Sequence, residues 1–174
     1  GVHSHLDHFE YVISTAKKSK IFEKIIVSSD SSKILKIGSK FGAINFGLRE
    51  KKFSDDKTTT DELLFREIKK NNLEKIKYIC CIYPPTPLLD FKTIKKAYKK
   101  FVSGNYDSLI SICKFEYPIF RALKIKKNKV GFLWKKFETK RSQEIQEMYH
   151  DLGYFYFFKT KSFFLNKKII SINT

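Results

Sequence analysis

Four times between Phe9 and Phe115 a segment of helical period alternates with a short apolar run, and no other feature constrains the fold as much. From about Phe9 to Lys20, Tyr11, Ile13 and Ala16 fall on or near one helix face, with lysines at the C-terminal end, where cations suit the helix dipole. KIIVSSD, Lys24 to Asp30, is β-branched and ends in polar residues, as a buried strand does. Asp30 or Ser31 can cap the next helix, which Gly42 can terminate, and Ala43 to Gly47 is a second short strand. TTDE, Thr59 to Glu62, has the form of a capping box and opens a helix running to about Asn71. KYICCIY is a third strand, and DFKTIKKAYKKFV places Phe91, Ile94, Tyr98, Phe101 and Val102 at helical spacing. SLISICKF is a fourth strand. Beyond Phe115, ALKIKKNKVGFLW reads as a hairpin across Lys127 and Asn128, and YFYFFK, Tyr154 to Lys159, as one more strand. Short connections between alternating elements predict an α/β fold, with a mostly parallel sheet and helices on both faces.

A chain of 174 residues fits one domain, here residues 1–174 with 1–9 as an atypical leader. It shows no internal repeat and no apolar run near the roughly 20 residues of a membrane span, so the reading is soluble, globular and cytoplasmic, with no membrane partner. Three cysteines, two of them adjacent in a buried strand, read as free, inert thiols in a reducing compartment. The net charge of +17 invites nucleic acid, but lysine outnumbers arginine 31 to 4, beside abundant Ile, Asn and Phe, and the lysines scatter over helix exteriors. That is the mark of A/T-rich coding, and no nucleic-acid partner is expected. A basic RNA-associated domain remains the reading to exclude by salt dependence.

The lysine bias makes the arginines informative, because a planar bidentate guanidinium is not replaced by lysine where phosphate or carboxylate must be held. Arg66 has Glu62 and Glu67 nearby and reads as a solvated ion pair. Arg49, Arg121 and Arg141 fall outside regular elements or at their ends. In sheets of this kind ligands collect at the carboxyl ends of parallel strands, which nominates Ser28 to Ser31, Leu48 to Thr60, Tyr83 to Pro87, and the segment after Phe115. Leu48 to Glu62 holds Arg49, Ser54, Asp55, Asp56 and three threonines; it is a nucleotide-contacting loop or a solvated one with capping residues. The YPPTP corner stiffens the exit from its strand and so orients Tyr83 and Thr86, or it only ends the strand. His150 beside Asp151 is an oriented base, a pair for a polyhydroxylated ligand, or two diverging neighbours. His3, His5 and His8 can bind a metal adventitiously, without partners elsewhere that complete a site. The chain has no nucleophile elbow, no GxGxxG and no GxxxxGK[ST], which weakens hydrolase, dinucleotide and P-loop readings.

Taken in order, KIIVSSDSSKI, the FGA after it, the LRE and FSDD loop, YICCIYPPTPLL, FEYPIFRALK and RSQEIQEMYHDLGYFYFFK resemble the acylneuraminate cytidylyltransferase family, nearest to its pseudaminic acid members. The resemblance spans about Tyr11 to Thr174. It implies a three-layer Rossmann-like nucleotide-diphospho-sugar transferase fold and an enzyme that passes CMP from CTP to a nine-carbon acidic sugar. The sugar's anomeric hydroxyl attacks the α-phosphorus, pyrophosphate leaves, and Mg²⁺ assists. By resemblance Arg49, Ser54, Asp55 and Asp56 serve the nucleotide, and Tyr83 and Thr86 line a shared cleft. Arg121, Lys124, Arg141, Gln143, His150 and Asp151 meet the sugar. Catalytic and metal-ligating residues are not assigned, and a homodimer is implied.

The chain departs from the family pattern at both ends. Family members open with a strand and a basic Gly-rich loop of the form PARGGSKRIPxKN, where this chain has GVHSHLDHF, and the acidic IDTxED-like segment would lie past Thr174. The fold is therefore expected to be truncated at both ends and turnover by these residues alone to be weak or absent. The alternative is a non-catalytic remnant or a sugar- or partner-binding module of the same fold.

Overall fold

The computed structural model describes residues 5–51, 58–84 and 89–174. Helix α1 (His5–Ser19) leads to an extended stretch, then α2 (Ser32–Lys40), α3 (Thr60–Lys70), β1 (Tyr78–Ile82), α4 (Phe91–Ser103), β2 (Ser108–Lys114), β3 (Leu123–Lys126), β4 (Lys129–Phe132), β5 (Tyr149–Lys159) and α5 (Thr160–Asn166). Two compact units result: one of the residues up to Ile110 together with Tyr154–Thr174, the other Ser111–Gly153. No helix among the described residues is long and apolar enough to cross a membrane.

In the first unit the strands sandwich their side chains by simple alternation. β1 pairs antiparallel with β5, Cys80 facing Phe157 and Cys81 facing Tyr156, and β5 lies between β1 and β2. Tyr156 and Phe158 go to one side, with Ile79, Cys81 and Tyr83, against Ile68 of α3 and Phe163 of α5. Phe155 and Phe157 go to the other, with Tyr78, Cys80 and Ile82, against Ile94 and Phe101 of α4. Because alternate residues of a strand point to opposite faces, a run of four consecutive buried aromatics can only be a strand covered on both sides. The α/β architecture with helices on both faces is thus as expected. A third cluster joins Ile13 of α1, Val27, Leu35 of α2 and Ala43. Gly38 permits that approach, since a Cβ there would stand 2.9 Å from Val27 Cγ2.

Strand direction departs from the mostly parallel sheet expected. β1 and β5 are antiparallel, as are β3 and β4, while the parallel pairing described is the Ile26–Ile44 bridge. Burial periodicity reports which faces are covered and not which way a strand runs, so a strand apolar on both sides reads alike in either direction. The two strands expected at Lys24–Asp30 and Ala43–Gly47 contract to that bridge, held by Val27 N–H to Ile44 O and Ile44 N–H to Ile25 O, each 2.8 Å. α1 begins four residues before Phe9, β5 extends back to Tyr149, and α5 was not foreseen. The helix signals hold: Thr59 Oγ1 accepts from Glu62 N–H at 3.2 Å, Ser31 stands at the N-cap of α2, and Gly42 follows its end at φ +81°. Arg66 pairs with Glu62 at 3.0 Å, one helical turn away.

The hairpin of the second unit turns where expected. Lys127 and Asn128 both take positive φ, 48° and 59°, the signature of a two-residue type I′ turn whose twist matches the flanking strands.

Candidate functional site

Arg49, assigned to the nucleotide, belongs to the first unit. Past the Ile26–Ile44 bridge the chain reaches Ser28, Ser29 and Asp30, and the neighbouring segment reaches Arg49, whose N–H donates to Ser29 O at 2.9 Å. The Arg49 guanidinium lies 3.9 Å from the Asp30 carboxylate, with its side chain 19% exposed. Ser29 is buried and its Oγ accepts the Ser31 N–H at 3.1 Å, shaping the entry to α2. Ser28 Oγ donates to Glu67 of α3 at 2.8 Å. Two of the places nominated from strand ends, Ser28–Ser31 and the start of Leu48–Thr60, therefore meet side by side around Arg49. Asp30, expected as a helix cap within Ser28–Ser31, and Glu67, expected only as a neighbour of Arg66, join them as partners of Arg49 and Ser28. Ser54, Asp55 and Asp56 lie outside the described residues.

The corner after β1 is pinned on both sides. Tyr83 continues the ladder, its N–H donating to Tyr154 O at 3.1 Å, and its ring meets Tyr156 edge-on at 6.0 Å. Its hydroxyl is hydrogen-bonded to Thr60 Oγ1 at 2.5 Å, so Tyr83 ties the end of β1 to the first residue of α3. Thr86 lies outside the described residues. Further on, Leu89 is buried and its carbonyl accepts from Tyr11 of α1 at 2.9 Å. Asp90 then caps α4 through the Thr93 N–H at 2.7 Å, a bond that holds its carboxyl below the usual range. Cys80 and Cys81 face opposite cores: burial raises the Cys80 thiol well above its ordinary value, with Cys81 adding to the effect, and burial pushes Cys81 up to about 12. They are inert thiols at neutral pH, as their place in the strand implied.

The residues assigned to the sugar belong to the second unit. Arg121 ends a one-turn 3₁₀ helix, Ile119–Arg121, anchored by Phe120 against Trp134 and Phe137 at 5.7 and 4.8 Å. Its guanidinium stacks over Phe132 of β4 at 5.8 Å, and its Nε is buried without a hydrogen-bond partner. Lys124 sits on β3 opposite Gly131, exposed. Arg141 and Gln143 are exposed around the 3₁₀ turn Ser142–Glu144, whose only buried neighbour in that stretch is Ile145.

His150 and Asp151 lie on β5 and not in a loop. The imidazole does not pair with the neighbouring carboxylate; Nδ1 lies 3.0 Å from the Asp151 carbonyl oxygen, and Asp151 Oδ1 accepts the N–H of Gly153 at 2.8 Å. Adjacent strand residues diverge, and Gly153, at φ +67°, provides the turn that the carboxylate stabilises. The ring instead meets Phe115 edge-on at 5.0 Å. Beside it the Glu147 carboxylate takes both Lys114 Nζ and, at 3.1 Å, the Tyr149 hydroxyl. Those bonds raise the Lys114 ammonium and lower the Glu147 carboxyl. None of these four was singled out from the sequence, although Glu147 and Tyr149 stand two apart, the spacing that shares one face of an extended chain. Among the described residues no three His, Cys, Asp or Glu side chains gather into a cation site.

Comparison with known proteins bears on both units. A family model described as cytidylyltransferase matches residues 9–172. The chain is 34% identical over 155 residues to the pseudaminic acid cytidylyltransferases of two Campylobacter jejuni serotypes, O:2 and O:23/36, a match covering 87% of this chain and 67% of each relative. It is 30% identical over 165 residues to a Helicobacter pylori protein named as pseudaminic acid cytidylyltransferase and UDP-2,4-diacetamido-2,4,6-trideoxy-beta-L-altropyranose hydrolase, covering 94% of this chain and 32% of that one.

Proposed function

Since the chain belongs to the cytidylyltransferase family, a family of enzymes, we propose that it transfers CMP from CTP to a nine-carbon acidic sugar, pseudaminic acid or a related sialic acid, with release of pyrophosphate. The match across residues 9–172 carries this reading, and the relatives' names supply its sugar. The product would feed surface-glycan synthesis in the cytoplasm, where CTP is made.

In this proposal the sugar's anomeric oxygen bonds to the α-phosphorus of CTP as the bond from that phosphorus to the bridging β-phosphate oxygen breaks; the hydroxyl proton passes to solvent, and the electron pair leaves with pyrophosphate. Negative charge grows on the phosphates, and fixed cations lower its cost more than mobile water does. Arg49 is assigned to the nucleotide, with Ser54, Asp55 and Asp56 following it in the same loop. Its side chain is largely shielded from water, 19% exposed, and a planar guanidinium can meet a phosphate with two parallel N–H donors. Tyr83 and Thr86 are assigned to the wall of the site. Mg²⁺ would neutralise charge on the triphosphate when bound, and the residues that would hold it are not assigned.

Arg121, Lys124, Arg141, Gln143, His150 and Asp151 are assigned to the sugar. The best support is Arg121, since a buried Nε without a partner is costly and an incoming carboxylate offsets that cost. A homodimer is part of the proposal: Leu123, Ile125 and Val130 of the hairpin stay 57%, 77% and 65% exposed, and Ile125 pairs directly with Val130. Such an apolar strand face is suited to a second copy.

The test incubates the protein with CTP, Mg²⁺ and pseudaminic acid and follows pyrophosphate and sugar binding together. Sugar-dependent pyrophosphate release supports the transferase. Sugar binding without CTP binding or product identifies a binding module instead, and failure to bind either ligand overturns both readings.

A further inference from the structure

Resting on the sugar-binding role proposed for His150, we infer that its neutral imidazole is held with the proton on Nδ1, so that Nε2 offers a lone pair to a hydroxyl of the acidic sugar. Lys114, Phe115, Glu147 and Tyr149 are the residues that position it.

A carbonyl oxygen can only accept. Nδ1 lies 3.0 Å from the Asp151 carbonyl oxygen, so the bond exists only if Nδ1 carries hydrogen. In a neutral ring that leaves Nε2 unprotonated, and it is the lone pair there that recognises a donor. A polyhydroxylated sugar presents O–H donors, whereas phosphate oxygens at pH 7 present none, so this nitrogen selects for the sugar over the nucleotide's phosphates. The ring is exposed, and Phe115 abuts it edge-on with centroids 5.0 Å apart, which favours one ring orientation. Phe115 is placed in turn by its own N–H, which donates to Met148 O at 2.9 Å. The residue before each, Lys114 before Phe115 and Tyr149 before His150, bonds the Glu147 carboxylate, one to each oxygen. A clamp at the residues just before Phe115 and His150 therefore joins the end of β2 to the start of β5. Charge-assisted bonds resist sliding of the two chain segments better than neutral ones. Lys114 and Glu147 are solvent-exposed, so the clamp acts by geometry and contributes little to global stability.

The test is nitrogen-resolved NMR of the His150 side chain in the full chain, first without ligand and then with pseudaminic acid, compared with Glu147→Gln and Phe115→Leu. Expected is a protonated Nδ1 and an unprotonated Nε2, with the sugar perturbing Nε2 more than Nδ1. Both variants should mix the two tautomers and raise the sugar KM about tenfold at constant CTP KM. His150→Gln, which keeps an acceptor near the Nε2 position, should retain more sugar affinity than His150→Phe. A protonated Nε2 in the free protein, or a tautomer unchanged in both variants, overturns the inference whether or not the protein transfers CMP. If the tautomer is as expected but the protein binds no acidic sugar, the functional reading fails and the positioning of the ring stands.

Discussion

Single side chains decide how the chemistry of this chain is distributed. Tyr83 was selected as a residue held over the sheet edge, and its hydroxyl proves to be bonded to Thr60 while its ring packs on Tyr156. Tyr83→Phe should cost about 1 kcal/mol, read as a lower urea midpoint at unchanged slope. The cysteines separate cleanly. Cys113 is exposed, whereas Cys80 and Cys81 have thiols raised by burial on opposite faces of β1. In the native protein a thiol reagent at mildly alkaline pH should modify Cys113 promptly and the other two only at the rate of unfolding. The same groups give a sign to the pH dependence: their folded pKa values lie above the ordinary 9.0, so the unfolded chain loses protons first and stability falls as pH rises through and beyond 9. A urea titration at pH 8 and pH 10 checks this, and mutation of both cysteines to alanine should flatten the difference. What the sequence could not reveal at this scale is partnership. His150 next to Asp151 suggests a side-chain pair, but a strand turns neighbours apart, and the ring's partners are Phe115, thirty-five positions away in the chain, and a backbone carbonyl.

Elements were legible where the signal is local. The Thr59 cap, the Gly42 stop and the Lys127–Asn128 turn follow from the conformational preferences of those residues alone, and each is found in place. Direction of pairing is not local, and β5 shows why. Phe155, Tyr156, Phe157 and Phe158 are all buried, a pattern that fits a central strand of either sense, and the antiparallel pairing with β1 is set by the path of the chain between them. The segments Ile25–Val27 and Ala43–Asn45 had strand composition but find a single bridge, since strand propensity expresses itself only where a partner runs alongside. The β3–β4 hairpin carries the assembly proposal. Ile125→Lys places a charge on the most exposed apolar strand position and should shift the particle mass in light scattering from dimer to monomer, while circular dichroism stays unchanged. A dimer that persists in this variant removes the hairpin from the interface.

For the whole molecule, ordered blocks of sequence carry the family resemblance, and the family match spans residues 9–172. The geometry then sorts the assigned residues into two units: Arg49 and Tyr83 in one, Arg121, Lys124, Arg141, Gln143, His150 and Asp151 in the other. The sequence order of the blocks carries that division, since the second set all fall between Ser111 and Gly153. Pairing within each unit was not visible, because it depends on contacts such as Arg49 N–H to Ser29 O that link segments with no shared pattern. The central claim is that a sugar hydroxyl, and not water, attacks the α-phosphorus of CTP. Pseudaminic acid carrying a heavy-oxygen label at its anomeric hydroxyl, incubated with the protein, CTP and Mg²⁺, puts that claim to mass spectrometry. The account requires the label to be retained in the bridge between sugar and CMP, with unlabelled pyrophosphate. Free CMP without CMP-sugar, or a CMP-sugar that has lost the label, would contradict it.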